Sequence, residues 1–131
     1  MGQLKYQELS EKIIAAAYAV HNELGCGFIE KVYKNALAIQ LEETGVKCSC
    51  EVPLQVVYRG KVVGEYCADV IVEYRIVVEV KAVSRLDPVH EVQLVNYLKA
   101  TGLNIGLLIN FGRSVEVKRR VFDAPQGMQE A

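Results

Sequence analysis

Apolar residues recur at helical spacing in the first third of the chain. Between positions 9 and 24 they lie three or four residues apart, which predicts a helix of about five turns. The segment Gly25-Cys26-Gly27 is expected to end this helix, because glycine readily takes the left-handed conformation that follows a helix. A second helix is predicted from about residue 28 to 43, stopping at Gly45. Its apolar stripe consists of Tyr33, Ala36, Leu37 and Leu41.

The apolar period changes from helical to alternating after Gly45. This pattern predicts strands at about 52–58 and 62–73, joined by a turn at Arg59-Gly60, and Gly64 is a candidate position for a β-bulge. The segment IVVEVKAV at 76–83 has the β-branched composition of a buried strand. Asp87-Pro88 combines an N-cap side chain with a proline suited to the first helical position, and so predicts a third helix that ends at Gly102. The run IGLLINF at 105–111 indicates another buried strand, and 115–122 indicates a last strand at the edge.

The predicted order is therefore two helices, three strands, one helix and two strands. We expect the first three strands to form an antiparallel meander, and the strand–helix–strand unit from 76 to 111 is typical of a parallel crossover. Together these elements predict an α/β sandwich, a mixed sheet flanked by helices. The length of 131 residues favours a single domain spanning 1–131.

The composition is that of an ordinary globular protein, with 51% hydrophobic and 24% charged residues. The net charge of −1 provides no overall basic field, so nucleic acid would have to be bound by a local patch or through a cation. No apolar run approaches the roughly 20 residues that cross a bilayer, and the N-terminus lacks a signal-peptide core. We therefore expect a cytoplasmic protein without membrane contact. The four cysteines form no C-x-x-C pair, so we expect free thiols rather than a zinc site.

Two charges interrupt the buried strand at 76–83. Glu79 and Lys81 lie two residues apart and share one face of the strand. Asp69 lies ten residues before Glu79, in the preceding strand, where the two carboxylates can lie side by side. Paired carboxylates repel each other, and a divalent cation such as Mg²⁺ relieves that repulsion. A lysine beside the metal can orient a water molecule or offset charge on a phosphate. The alternative is a solvated strand face with a weak ion pair.

A shared site for Asp69 and Glu79 depends on the register of the hairpin. Residues that face each other across an antiparallel pair have position numbers with a constant sum. A two-residue loop would send the two carboxylates to opposite faces, since a shift of one residue turns every side chain over. We therefore predict either a three-residue loop at 73–75, which pairs Val72 with Ile76, or a bulge before Asp69.

The chain also resembles a known family along most of its length, from about Leu9 to Arg120. Residues 27–33, GFIEKVY, fit the pattern G-x-x-E-x-x-Y. Further matching segments are AVHNELG (19–25), EKVYKNALAIQLEETG (30–45), ADVIVE (68–73), VEVKAV (78–83) and QLVNYLKATGLNIGLLINFG (93–112). On these motifs the chain is identified as a member of the GxxExxY family, a branch of the PD-(D/E)XK nuclease-like superfamily. The resemblance departs at Cys67, where relatives often carry arginine, and at Cys26, where a proline is expected between the two glycines.

The resemblance implies an αβββαβ restriction-endonuclease-like fold and a metal-dependent phosphodiester hydrolase that acts on DNA or RNA. Its acidic pair and lysine fall on Asp69, Glu79 and Lys81, its helix glutamate falls on Glu30, and its Q-x-x-x-Y falls on Gln93 and Tyr97. The implied ligands of Mg²⁺, or of Mn²⁺, are Asp69, Glu79, Glu30 and the backbone carbonyl of Val80, with Tyr33 and Tyr97 as further site residues.

Other interpretations of these residues stay open. Near the start of a helix, the Glu30 carboxylate also favours the helix dipole, and Gln93 with Tyr97 can be a simple helix–sheet contact. The whole chain can equally be a binding or assembly module that keeps the nuclease fold without turnover. A small domain with an apolar sheet edge to protect is also expected to form a homodimer.

Overall fold

A computed structural model describes residues 2–123, with side chains from residue 6 onward. The predicted order of elements is confirmed, while the predicted domain 1–131 extends past the described residues at both ends. The elements are α1 (Gly2–Leu24), α2 (Glu30–Glu43), β1 (Cys48–Tyr58), β2 (Lys61–Val72), β3 (Ile76–Lys81), α3 (Pro88–Thr101), β4 (Ile105–Phe111) and β5 (Val115–Val121). None of the described helices is long and apolar enough to cross a membrane.

The strands form one mixed sheet in the order β1-β2-β3-β4-β5. Strands β1, β2 and β3 form the predicted antiparallel meander, and β3 pairs with β4 in parallel, joined by α3. Strand β5 lies at the edge, antiparallel to β4. The α/β architecture with helices on a mixed sheet is therefore confirmed, and it is consistent with a restriction-endonuclease-like fold.

Helices cover both faces of the sheet, which explains the near-continuous apolar runs of β3 and β4. One apolar cluster joins α1 and α2 to the sheet, and its strand residues include Val70, Val78 and Ile109. The other joins α3 to the opposite face, through residues such as Ile71, Val77 and Leu108. We call these the α1/α2 face and the α3 face. Since side chains alternate along a strand, Glu79 and Lys81 belong to the α3 face together with Val77.

The β2–β3 hairpin has the predicted three-residue loop. Val72 pairs with Ile76 and Val70 with Val78, so the position numbers sum to an even value. The Arg75 amide donates to the Val72 carbonyl at 2.9 Å, and Glu73 and Tyr74 both have positive φ angles, of 53° and 55°. One step past Val70 and Val78, this register brings Asp69 opposite Glu79 on the same face.

The longest hairpin, β1–β2, has two irregularities. The first is the expected bulge beside Gly64, where Val63 has no partner on β1 because the register shifts between Val56 and Val57. The second is the position where Glu51 would face Asp69. Regular pairing stops at Cys50 and Val70 and resumes at Val52 and Ala68. Glu51 has a φ of 52° there, and the regular pairing is interrupted beside the acid pair.

The element boundaries differ from the predictions mainly at their starts. Helix α1 begins seven residues before the first predicted position because Tyr6 also packs on the α1/α2 cluster and extends its stripe. Helix α2 begins at Glu30 rather than about residue 28, with Ile29 as an N-cap whose side chain makes no capping bond. Helix α3 is confirmed at both ends, with Asp87 as the N-cap and Gly102 in the left-handed conformation after it.

Candidate active site

The two carboxylates Asp69 and Glu79 replace the regular hydrogen bonds between β2 and β3. The Val80 amide donates to Asp69 Oδ2 at 2.8 Å, and the Asp69 amide donates to Glu79 Oε1 at 3.1 Å. Each carboxylate is thus anchored by a backbone amide, Asp69 by one of β3 and Glu79 by one of β2. The other oxygen of each carboxylate accepts no hydrogen bond from a donor in the described part of the chain. This arrangement holds two carboxylates together and leaves one oxygen of each free to bind a cation.

Burial raises the free energy of the ionised acid pair when no cation is present. Glu79 is only 4% exposed, and Asp69 is half-buried. Burial raises the pKa of Glu79 to about 8, and the neighbouring charge of Asp69 adds to the increase. The two carboxyl groups also lie close enough to share a proton, which raises the pKa of Glu79 further. At neutral pH the pair therefore favours a bound proton or another positive charge.

Lys81 is the last residue of β3 and lies two residues beyond Glu79. Its side chain is half-buried, and its positive charge partly offsets the increase in the pKa of Glu79. In the parallel register Lys81 is beside Asn110 of β4. The structure therefore brings three of the predicted residues, Asp69, Glu79 and Lys81, to one place on the α3 face.

Helix α3 closes one side of the acid pair with Gln93 and Tyr97. The Gln93 Nε2 donates to the Tyr97 hydroxyl at 3.2 Å, and Tyr97 is only 7% exposed. Burial is the main reason that the pKa of Tyr97 is raised, and the charges of Glu79 and Asp69 contribute next. The predicted Q-x-x-x-Y pair therefore does lie near the carboxylates. The charges of the two carboxylates act on Tyr97, and Gln93 holds its hydroxyl.

Glu30 and Tyr33, the predicted site residues of α2, are placed differently. Glu30 is the first residue of α2 and is exposed. Among the described residues, no group of three or more His, Cys, Asp and Glu side chains is arranged to hold a metal, so Glu30 does not join the acid pair. Tyr33 is fully buried and stacks on Phe111 with ring centroids 4.6 Å apart. Its hydroxyl donates to the Gly25 carbonyl at 2.6 Å and accepts from the Phe28 amide at 3.3 Å, which secures the α1–α2 loop.

Lys34 is a neighbour of the acid pair that we did not predict from the sequence. It lies one turn after Glu30 on α2, is only 9% exposed, and donates to Glu51 Oε1 at 2.6 Å. The hydrogen bond to Glu51 is the main reason that the pKa of Lys34 is raised, and the charge of Asp69 contributes as well. The signal was present in the sequence, because Lys34 shares the helical stripe of Leu37 and Leu41.

Asn110 is a second polar residue that sequence reasoning missed. It is fully buried in the apolar run of β4. Its Oδ1 accepts from the Val83 amide, and its Nδ2 donates to the Val83 carbonyl, both at 2.9 Å; Nδ2 also donates to Glu116 Oε1 at 3.2 Å. Asn110 therefore holds the chain that follows Lys81. This contact replaces backbone pairing there and explains why β3 ends at Lys81 rather than Val83.

The cysteines and histidines have other positions. All four cysteines are free thiols, and burial raises the pKa of Cys48 to about 11, which keeps that thiol protonated at neutral pH. A ring nitrogen of His21 lies 2.8 Å from the Gly112 carbonyl, and His90 accepts from the Asp87 amide in the capping box of α3. Both histidines therefore have structural contacts.

The donor set of the acid pair suits a hard divalent cation. Two carboxylates supply oxygen ligands, and Mg²⁺ is commonly held by one or two carboxylates while it keeps several waters or binds substrate phosphate. The free oxygens of Asp69 and Glu79, and the unfavourable burial of their charges, fit such an ion. Lys81 adds a positive charge at the edge of the same site.

A family model and a solved structure both match this chain. A family model described as the PD-(D/E)XK nuclease superfamily matches residues 7–121. Among solved structures, one titled "Crystal structure of SSO0001" has a TM-score of 0.60 at 19% sequence identity, covering 76% of this chain and 54% of that one. The chain thus spans about half the length of that structure, and the likeness concerns the fold alone. A search of curated proteins finds no match.

Proposed function

Because the chain belongs to the PD-(D/E)XK nuclease superfamily, we propose that it is a metal-dependent hydrolase of phosphodiester bonds in nucleic acid. The observation that carries this proposal is the reciprocal anchoring of Asp69 and Glu79. Each carboxylate is held by a backbone amide, and each keeps one free oxygen. A solvated strand face would not bury Glu79 to 4% exposure beside a second carboxylate.

Asp69 and Glu79 are the side-chain ligands of Mg²⁺ or Mn²⁺ in this proposal, together with the backbone carbonyl of Val80. Such an ion, when bound, polarises the phosphate and lowers the pKa of a coordinated water. Glu30 is exposed at the start of α2 and lies outside the ligand set that we propose.

The other residues act on the water, the phosphate and the acid pair. Lys81, on the same strand face as Glu79, orients the attacking water and offsets negative charge that develops on the phosphate. Gln93 is a positioning residue, since its amide holds the Tyr97 hydroxyl beside the two carboxylates. Asn110 keeps the chain after Lys81 in place through its two bonds to Val83.

A cleavage assay tests this function. The full chain is incubated with labelled single- and double-stranded DNA and RNA, in Mg²⁺, in Mn²⁺ or in EDTA. We expect cleavage by the wild type only with metal, and a loss of about 100-fold or more in Lys81→Ala, the scale measured for removal of one charge-stabilising group. Lys12→Ala is the matched control, because Lys12 is exposed on α1.

Circular dichroism of each variant separates loss of chemistry from loss of folding. Cleavage that persists in EDTA, or in a folded Lys81→Ala protein, would contradict the mechanism. Tight binding of nucleic acid without cleavage in any metal would instead favour the alternative function, a binding module that keeps the nuclease fold.

A further inference from the structure

The outer part of the β1–β2 hairpin is largely exposed. From residue 55 to 67 no residue is buried, whereas Leu54 and Ala68 on either side are packed in the α3-face cluster. We call residues 55–67 the ribbon. Its exposed large apolar side chains are Val56, Val57, Tyr58, Val62, Val63 and Tyr66. Since an isolated two-stranded ribbon is marginal in water, apolar side chains here suggest contact with another molecule.

Tyr66 connects the ribbon to the acid pair. Its ring centroid lies 6.0 Å from that of Tyr97, with the planes tilted by 51°, and Tyr97 lies beside Glu79 and Asp69. Tyr97 is 7% exposed, whereas Tyr66 is 52% exposed. Tyr66 therefore covers part of Tyr97 and presents the rest of its side chain to solvent at the border of the site.

The ring of Tyr66 is held in place by Gly64 as well. A Cβ atom at position 64 would lie 3.4 Å from Tyr66 Cε2, so the ring packs directly along the strand where a side chain is missing. The bulge at Val63 adjoins this position. If Tyr66 served only to cover Tyr97, its own side chain would be buried in that contact. Instead the ring is placed by Gly64 and Tyr97, and about half of the side chain stays open.

We propose that Tyr66 stacks on an unpaired nucleobase next to the phosphate bound at the acid pair, which makes single-stranded nucleic acid the substrate class. This inference rests on the proposed function. Every base has a π-face, and stacking on an aromatic side chain recognises single strands without a sequence requirement. A base inside a duplex is already stacked on its neighbours.

The test compares Tyr66→Ala and Tyr66→Phe, both in a Lys81→Ala background so that the strand survives a binding titration with Mg²⁺. The probes are a short single strand that carries 2-aminopurine, whose fluorescence falls on stacking, the same strand with one abasic position, and the matching duplex. Tyr58→Ala is the control, because Tyr58 is 60% exposed at the far end of the ribbon.

We expect Tyr66→Ala to weaken single-strand binding by about 5- to 150-fold, as the loss of one stacked base implies, and to abolish the 2-aminopurine quenching. Tyr66→Phe should retain both, and the abasic strand should bind the Ala and Phe variants alike. With Lys81 intact, Tyr66→Ala should raise KM for single strands with little change in kcat.

Unchanged single-strand binding in Tyr66→Ala overturns the proposal, as does an equal loss for the duplex. These outcomes are distinct from failure of the proposed function. Cleavage that does not depend on Tyr66 refutes the stacking role alone, whereas Tyr66-dependent binding without cleavage refutes the hydrolysis alone. An absence of binding to every probe refutes both.

Discussion

Replacing Glu79 by glutamine should remove a pH dependence from the stability of the protein. Burial and the charge of Asp69 raise the pKa of Glu79 from 4.5 to about 8 in the folded protein. A carboxyl whose pKa is raised by folding binds its proton more tightly in the folded state. The contribution of Glu79 to wild-type stability is therefore most favourable below about pH 4.5, falls as the pH rises from 4.5 to 8, and levels off above that.

The size of the effect follows from the difference between the two pKa values. Each pKa unit corresponds to about 1.4 kcal/mol, so a rise from 4.5 to about 8 gives an upper bound of about 5 kcal/mol. The proton is shared with Asp69, and partial access of water reduces the cost, so we expect roughly 2–5 kcal/mol. That is a large part of the 5–15 kcal/mol that typically stabilises a domain.

Urea denaturation of wild type and Glu79→Gln between pH 5 and 9, in EDTA, measures this difference. The glutamine keeps an oxygen that can accept from the Asp69 amide, and it carries no charge at any of these pH values. We expect the two proteins to be similar in stability near pH 5 and Glu79→Gln to be the more stable near pH 9. Glu65→Gln is the control, since Glu65 is exposed on β2.

Metal gives a second measurement on the same pair of proteins. A cation bound by the acid pair should stabilise the wild type at pH 8, by about 1.4 kcal/mol at ten times its dissociation constant, and should have little effect on Glu79→Gln. A difference in stability between the two proteins that stays constant from pH 5 to 9 would refute the assignment of a buried, protonated carboxyl to Glu79.

Three further predictions follow from the contacts of the fold and site. Calorimetric titration with Mg²⁺ or Mn²⁺ should give weak binding to the wild type and none to Asp69→Asn; equal binding to both would exclude the site. Tyr33→Phe removes the hydroxyl that bonds Gly25 and should lower the free energy of unfolding by about 1 kcal/mol while cleavage is retained, which denaturation and activity assays check. Light scattering should give the mass of a dimer, because β1 lies at the edge of the sheet that the described residues form and Val57 is 56% exposed; a monomer at all concentrations would contradict this.

The fold and the acid pair could be predicted because both depend on local periodicity. The change from helical to alternating spacing locates the strands. The length of one hairpin loop decides whether Asp69 and Glu79 lie on the same face of the sheet. Neither inference needs to know how distant elements pack. The pairing of Val72 with Ile76 could be predicted for this reason. It forms even though positions 73 and 74, which have positive φ angles, carry Glu73 and Tyr74 rather than the usual glycine or asparagine.

Other features depend on contacts between elements that are far apart in the sequence. Asn110 interrupts the apolar run of β4 as Glu79 interrupts that of β3, so its importance could have been suspected. Its partner Val83, however, lies 27 positions away and follows β3. The break at Glu51 leaves no trace in the apolar pattern either, because Cys48, Cys50 and Val52 continue the alternation of the strand across it. The start of β1 was predicted four residues too late.

Glu30 and Lys34 show that the periodicity of a single helix does not determine which of its residues lies beside the acid pair. They are four positions apart, so they lie on the same side of α2 about one turn apart, about 6 Å along its axis. Amphipathicity fixes which side of the helix faces the sheet, but it does not fix how far the helix is displaced along its own axis. A displacement of one turn exchanges a carboxylate for an ammonium group beside the sheet. In the structure the residue near Asp69 is Lys34, held there by Glu51, where the regular pairing of β1 is interrupted. A positive charge at this place attracts the side chain of Asp69, which a third carboxylate would repel.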